Sequence, residues 1–168
     1  LGARSAVAAR AVTEAVERAV RLVQEGRLDG VVFAPLNKQA LHEAGSPYPD
    51  EHHLFASWTG ATEFGEMNVL GDLWTARVTS HIPLAQVAAS LSVERVVRAI
   101  RLADRTLRRA GFSAPRIAVA ALNPHGGEGG LFGLEERDIV APGVRAAQTE
   151  GINAEGPFPA DTIFLRAR

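Results

Sequence analysis

The chain has 168 residues, 46% of them hydrophobic, with 18 Lys+Arg against 19 Asp+Glu and a formal net charge of -1. That is enough apolar mass for the core of one ordinary domain, and the charge balance excludes a nucleic-acid or membrane-surface role driven by bulk charge. The absence of cysteine excludes disulfides, thiolate nucleophiles and any Cys-based metal site.

In chain order, residues 5–24 place Val12, Val16, Val20 and Val23 at helical spacing, with Arg10, Glu14, Glu17, Arg18 and Arg21 largely opposite them. Gly26 and Asp29-Gly30 end that helix. Residues 31–34, Val-Val-Phe-Ala, form an apolar run without polar alternation, as a buried parallel strand does, and Pro35 stops it. Residues 39–44 make one or two helical turns, and residues 50–58 a short helix. Residues 73–80 read as a strand and residues 84–89 as helical. Ser92 is the N-cap of a long helix that reaches about Ala110, with Val93, Val96, Val97, Ile100 and Leu107 as its buried stripe and Gly111 as its αL stop.

Residues 116–122 are the clearest strand, and a glycine-dense loop over 123–133 follows. A helix over about 135–150 is interrupted or restarted at Pro142. The remainder is mostly loop, with a helical turn over 160–164. The alternation of helices and buried strands predicts an α/β protein with a mainly parallel sheet and flanking helices, without an internal domain boundary. No apolar run approaches the ~20 residues of a membrane span, and no signal-peptide pattern opens the chain.

Two histidines fall where open α/β sheets bind ligands, beyond the carboxyl ends of strands. His81 follows the 73–80 strand and His125 follows the 116–122 strand. Brought together, two imidazoles could hold a divalent metal. On spacing alone, hydrogen bonding of each ring to its own loop is the commoner outcome. The glycines that follow His125 (Gly126, Gly127, Gly129 and Gly130) let backbone N–H groups approach an anion or cofactor. This loop is neither a P-loop nor a dinucleotide fingerprint, because no Gly-Lys-Ser/Thr follows and Phe132 stands where a third glycine belongs. Glu128 reads as solvated. Lys38, the single lysine among arginines, invites a chemical role. His42, His52 and His53 read as surface residues. The arginines of the long helix (Arg95, Arg98, Arg101, Arg105, Arg108 and Arg109) form a solvated face.

Read together, the segments 34–38 (Ala-Pro-Leu-Asn-Lys), 62–64 (Thr-Glu-Phe), 79–84 (Thr-Ser-His-Ile-Pro-Leu), 122–133 (Leu-Asn-Pro-His-Gly-Gly-Glu-Gly-Gly-Leu-Phe-Gly) and 156–162 (Gly-Pro-Phe-Pro-Ala-Asp-Thr) resemble the 4-hydroxythreonine-4-phosphate dehydrogenase family of vitamin B6 biosynthesis. The resemblance covers nearly the whole chain, and its Asn-Pro-His-x-Gly-Glu-Gly-Gly motif is highly specific. It implies an isocitrate/isopropylmalate-dehydrogenase-like fold, present here incompletely as the central segment of a longer enzyme. It also implies a cytoplasmic homodimer with a shared active site, NAD or NADP as cofactor, and a divalent metal (zinc, cobalt, manganese or magnesium) on three histidines.

By that resemblance His81 and His125 are two of the metal ligands, and the third lies in a downstream His-Asp-Gln motif. Thr62 matches a substrate-binding threonine. Ala61 stands where the family has a substrate-binding histidine, and residues 50–58 look like an insertion beside it that offers His52 or His53 as a substitute contact. The implied reaction is oxidation of a secondary alcohol of a small hydroxy acid, followed by decarboxylation of the keto acid. Two alternatives stand beside it. One is a related catabolic dehydrogenase acting on a cis-dihydrodiol dicarboxylate or a phosphorylated threonate-type acid; the other is a non-catalytic metal- or ligand-binding fragment.

Overall fold

The computed structural model describes residues 5–166, which fall into two compact units, one ending at Phe64 and the other starting at Gly65. The first is helical. Helix α1 (Ala6–Gln24) starts where the Ser5 hydroxyl accepts a hydrogen bond from the Ala8 N–H at 3.3 Å. Its buried residues Ala9, Val16 and Val20 lie on one face, turned toward the short helices α2 (Lys38–Glu43) and α3 (Glu51–Thr59). Val12, predicted for the buried stripe, is exposed because these short partners cover only part of the helix. Asn37 caps α2 by accepting from the Ala40 N–H at 2.9 Å, and Asp50 caps α3 by accepting from the His53 N–H at 3.0 Å. Gly60 ends α3 with φ 69°, the left-handed conformation that glycine adopts without steric penalty.

The strand predicted over residues 31–34 does not form among the described residues. The run joins no ladder, Val32 is fully exposed, and Phe33 packs edge-on against Phe55 of α3 at 5.2 Å. A strand forms only with a neighbour to exchange hydrogen bonds, and none lies beside this run among the described residues of a chain that spans about half its relatives' length.

The second unit contains both sheets, each of two strands. Strands β1 (Met67–Leu70) and β2 (Leu73–Ala76) form an antiparallel hairpin, in register from Met67 opposite Ala76 to Leu70 opposite Leu73. Gly71 opens its two-residue loop with φ 57°. A 3-10 turn (Leu84–Gln86) leads into helix α4 (Val87–Ser90). Helix α5 (Val93–Arg109) is capped by Ser92, whose hydroxyl accepts from the Arg95 N–H at 3.2 Å. Strand β3 (Ile117–Ala120) pairs in parallel with β4 (Ala154–Phe158), and a π-type turn (Glu136–Val140) and helix α6 (Ala141–Thr149) cross between them. Helix α7 (Ile163–Arg166) follows. The architecture is mixed α/β, with one parallel pair and one antiparallel pair among the described residues.

The core of this unit joins Val96 and Ile100 of α5 to Val144 and Ala147 of α6 and to Ile152 and Ala154 around β4. Helices α5 and α6 approach closely at Gly143, where a Cβ would lie 2.6 Å from Val96 Cγ1. Gly156 sits inside β4 for a comparable reason, since a Cβ there would meet the Val119 carbonyl oxygen at 2.5 Å. The arginine face of α5 is exposed as expected: Arg101 pairs with Glu150, and Arg108 Nε donates to Asp104 at 2.8 Å. No helix of the described residues is long and apolar enough to cross a membrane.

Candidate functional site

Strand β3 delivers the chain to the His125 loop. The turn begins where the Gly126 N–H donates to the Asn123 carbonyl at 3.1 Å. Gly126, Gly127, Glu128, Gly129 and Gly130 then all take positive φ, a left-handed turn that glycine makes possible. Glu136, only 6% exposed, lies beneath it. One of its carboxylate oxygens, Oε1, accepts from the Asn123 N–H at 3.0 Å, while the buried Oε2 has no partner. A Cβ on Gly127 would come within 2.9 Å of that Oε2 and 3.2 Å of the Gly133 carbonyl, so the loop can lie on the carboxylate only as glycine.

His125 is exposed on this loop, with Nδ1 3.1 Å from Glu128 Oε1 and Nε2 3.7 Å from Asp161 Oδ2. An ionised carboxylate can only accept, so the 3.1 Å contact requires a proton on Nδ1, while Nε2 faces Asp161. At 3.7 Å these two do not hydrogen-bond, but two electron-pair donors of one coordination shell can have that separation. Among the described residues no third ligating side chain joins His125 and Asp161 in such a shell. Asp161 and Glu136 were not visible as site residues in the sequence. The first belonged to a quoted motif without a role, and the second was one carboxylate among several on a helical stretch.

His81 belongs to the same unit. It is exposed beyond β2, with φ 55°, at the end of a strand that stops at Ala76, short of the predicted Ser80. An apolar cleft of about 730 Å³ in this unit, lined by Trp74, Leu107, Phe112, Ile117, Val119 and Phe164, takes in neither histidine.

Ala61 and Thr62 lie in the first unit, both exposed, just beyond the end of α3, where the Ala61 N–H donates to the Ala56 carbonyl at 3.1 Å. The insertion-like stretch is α3 itself. At its start the buried Asp50 carboxylate is 2.7 Å from His53 Nδ1 and 3.7 Å from His52 Nδ1. Burial alone would raise the Asp50 pKa, but the His53 N–H, the His53 ring and the charge of both histidines together hold it below the ordinary carboxylate range. Lys38 is engaged in an ion pair with Glu51 at 3.0 Å. Burial raises the Glu51 pKa, and its own backbone N–H and the Lys38 ammonium outweigh that and lower it. The lone lysine therefore joins the starts of α2 and α3.

Against known proteins, the family model described as "Pyridoxal phosphate biosynthetic protein PdxA" matches residues 1–168. A protein of Pseudomonas aeruginosa is 53% identical over 165 residues, covering 98% of this chain and 49% of the relative. The D-threonate 4-phosphate dehydrogenase of Cupriavidus necator is 43% identical over 167 residues, covering 99% and 50%. Among solved structures, the 4-hydroxythreonine-4-phosphate dehydrogenase of Klebsiella pneumoniae is 42% identical with a TM-score of 0.89, covering 98% of this chain and 51% of that one. The chain spans about half the length of the curated relatives it matches.

Proposed function

The chain belongs to the PdxA family, and we propose that the protein of which it forms a part is a dehydrogenase that uses a divalent metal and a nicotinamide cofactor. Its reaction is oxidation of a secondary alcohol of a phosphorylated hydroxy acid, with decarboxylation of the resulting keto acid, in pyridoxal phosphate biosynthesis. The observation that carries this reading is the His125 ring, fixed at Nδ1 by Glu128 and turned at Nε2 toward the Asp161 carboxylate. A neutral imidazole nitrogen facing a carboxylate suits zinc, cobalt or manganese, and His81 supplies a further nitrogen in this assignment. The bound cation supplies Lewis-acid stabilisation of the negative charge that develops on the substrate oxygen as hydride leaves.

The chain's own residues do the rest. His81 and His125 bind the cation. In the left-handed turn Glu128 is the one side chain among four glycines, so apart from that carboxylate the backbone is open to a substrate approaching the ring. By the family resemblance Thr62 is assigned to hydrogen-bond the substrate, and Ala61 carries only a methyl group where the family motif has histidine. The alternative substrate in the same reaction class is a threonate 4-phosphate of the kind named for the Cupriavidus necator relative. The wider reading follows from the family: a cytoplasmic homodimer with a shared active site and an isocitrate/isopropylmalate-dehydrogenase-like fold, in which β3 and β4 belong to a larger parallel sheet.

The test is full-length enzyme assayed with 4-hydroxythreonine 4-phosphate and with D-threonate 4-phosphate, before and after His81→Ala and His125→Ala. Either substitution is expected to abolish metal-dependent turnover and zinc binding while the protein stays folded. Full activity of the double variant would overturn the assignment, and metal binding without turnover on any hydroxy acid would favour a binding role.

A further inference from the structure

Among the described residues only two that are not glycine hold a positive φ, His81 at 55° and Glu128 at 45°. Side chains disfavour this region because Cβ crowds the backbone, and residues kept there against that cost cluster at functional sites. Glu128 is the more telling of the pair. Its neighbours on both sides, Gly126, Gly127, Gly129 and Gly130, meet the same conformational demand with glycine. A glycine at 128 would follow the same path with less strain, so the carboxylate itself must be what the position requires. Glu128 is exposed, and its carboxylate meets His125 Nδ1 at 3.1 Å.

We propose that Glu128 is a positioning residue that holds the His125 imidazole with its proton on Nδ1, leaving the Nε2 lone pair for a cation. The inference rests on the reading of His125 as a metal ligand only for its functional consequence; the tautomer itself needs no metal. An unrestrained neutral imidazole favours the proton on Nε2, which would block that nitrogen and turn an N–H toward Asp161. A carboxylate accepting at Nδ1 reverses the preference and raises the basicity of Nε2, the outer-shell arrangement that metal-bound histidines use. The glycine-rich run is what lets position 128 fold back over three residues to reach the ring.

The experiment compares full-length wild type, Glu128→Gly and Glu128→Gln. With selectively 15N-labelled histidine in the metal-free protein, at a pH about two units above the ordinary imidazole value of ~6.5, wild-type His125 is expected to show the Nδ1–H tautomer, and E128G to lose it. Glutamine retains an acceptor oxygen, so E128Q is expected to keep the tautomer. The urea midpoint of E128G should rise as the left-handed strain is relieved, while its affinity for zinc ions should fall roughly 10- to 100-fold. E128Q should stay within a few-fold of wild type. A stabilised E128G with unchanged tautomer and unchanged zinc affinity would overturn the proposal. A changed tautomer with unchanged zinc affinity would leave the positioning role standing and overturn His125 as a ligand.

Discussion

Glu136→Ala probes how the His125 loop is held. The substitution removes the acceptor of the Asn123 N–H, a 3.0 Å bond to a carboxylate that is almost wholly shielded from water. A hydrogen bond to a charged group contributes about 1.5–3 kcal/mol, and truncating it leaves a shielded donor without a partner. Loss of the unpartnered Oε2 offsets part of this, so a net cost of about 2 kcal/mol is expected. Glutamine keeps the acceptor without the charge and halves the bond, so Glu136→Gln should cost about 1 kcal/mol. Urea unfolding gives the global value. Hydrogen exchange at the Asn123 amide gives the local one, and about 2 kcal/mol corresponds to an opening roughly 30-fold more frequent. If Glu136→Ala changes neither the urea midpoint nor the Asn123 exchange rate, the carboxylate does not brace the loop and the reasoning fails.

Two further substitutions test the frame around the site. Gly143→Ala should destabilise by about 1–2 kcal/mol, the cost of overpacking less the helix-propensity gain, because its methyl group would lie 2.6 Å from Val96 Cγ1. Val96 Cβ would lie 2.7 Å from the same methyl group, so Val96→Ala should relieve only part of the loss, and a Gly143→Ala variant with an unchanged urea midpoint would refute the contact. Asp50 has its pKa lowered by folding, so its contribution is complete above the ordinary carboxylate value and disappears as pH falls through the folded value. Asp50→Asn keeps the helix cap but cannot ionise. The gap between urea midpoints at pH 7 and pH 3 should therefore narrow in this variant, and an unchanged gap would show that folding does not lower the Asp50 pKa.

Helix α5 was legible down to its Ser92 cap because its stripe repeats at 3.6 residues: Val96, Val97 and Ile100 are buried as the period predicts, while Val93 and Leu107, at the two ends of the stripe, are half-buried. The two strands not foreseen failed for different reasons. Strand β1 carries a local signal, since Gly71-Asp72 between apolar runs is a hairpin pattern. Strand β4 carries none, since Gly156 and Pro157 inside Ala154–Phe158 argue against any strand, and only the parallel partner β3 makes one of it. At the candidate site, motif order points to His125, and Glu128, which reads as solvated, is exposed and also touches that ring. The contact depends on a left-handed turn that folds the carboxylate back onto the imidazole, and neither composition nor spacing encodes it. Asp161 and Glu136 are in the same position, brought to the loop by the crossover that contains α6 and by the return through β4.

The extended run at residues 31–34 also bears on how this polypeptide behaves at high concentration. When this 168-residue stretch stands alone, four apolar residues that join no ladder among the described residues offer a template on which another molecule can zip up edge to edge. Val32, whose side chain projects wholly into water, is the place to interrupt that template. A lysine there should raise the solubility limit, measured by light scattering against concentration, without moving the urea midpoint, because the native valine touches nothing that the lysine would forfeit.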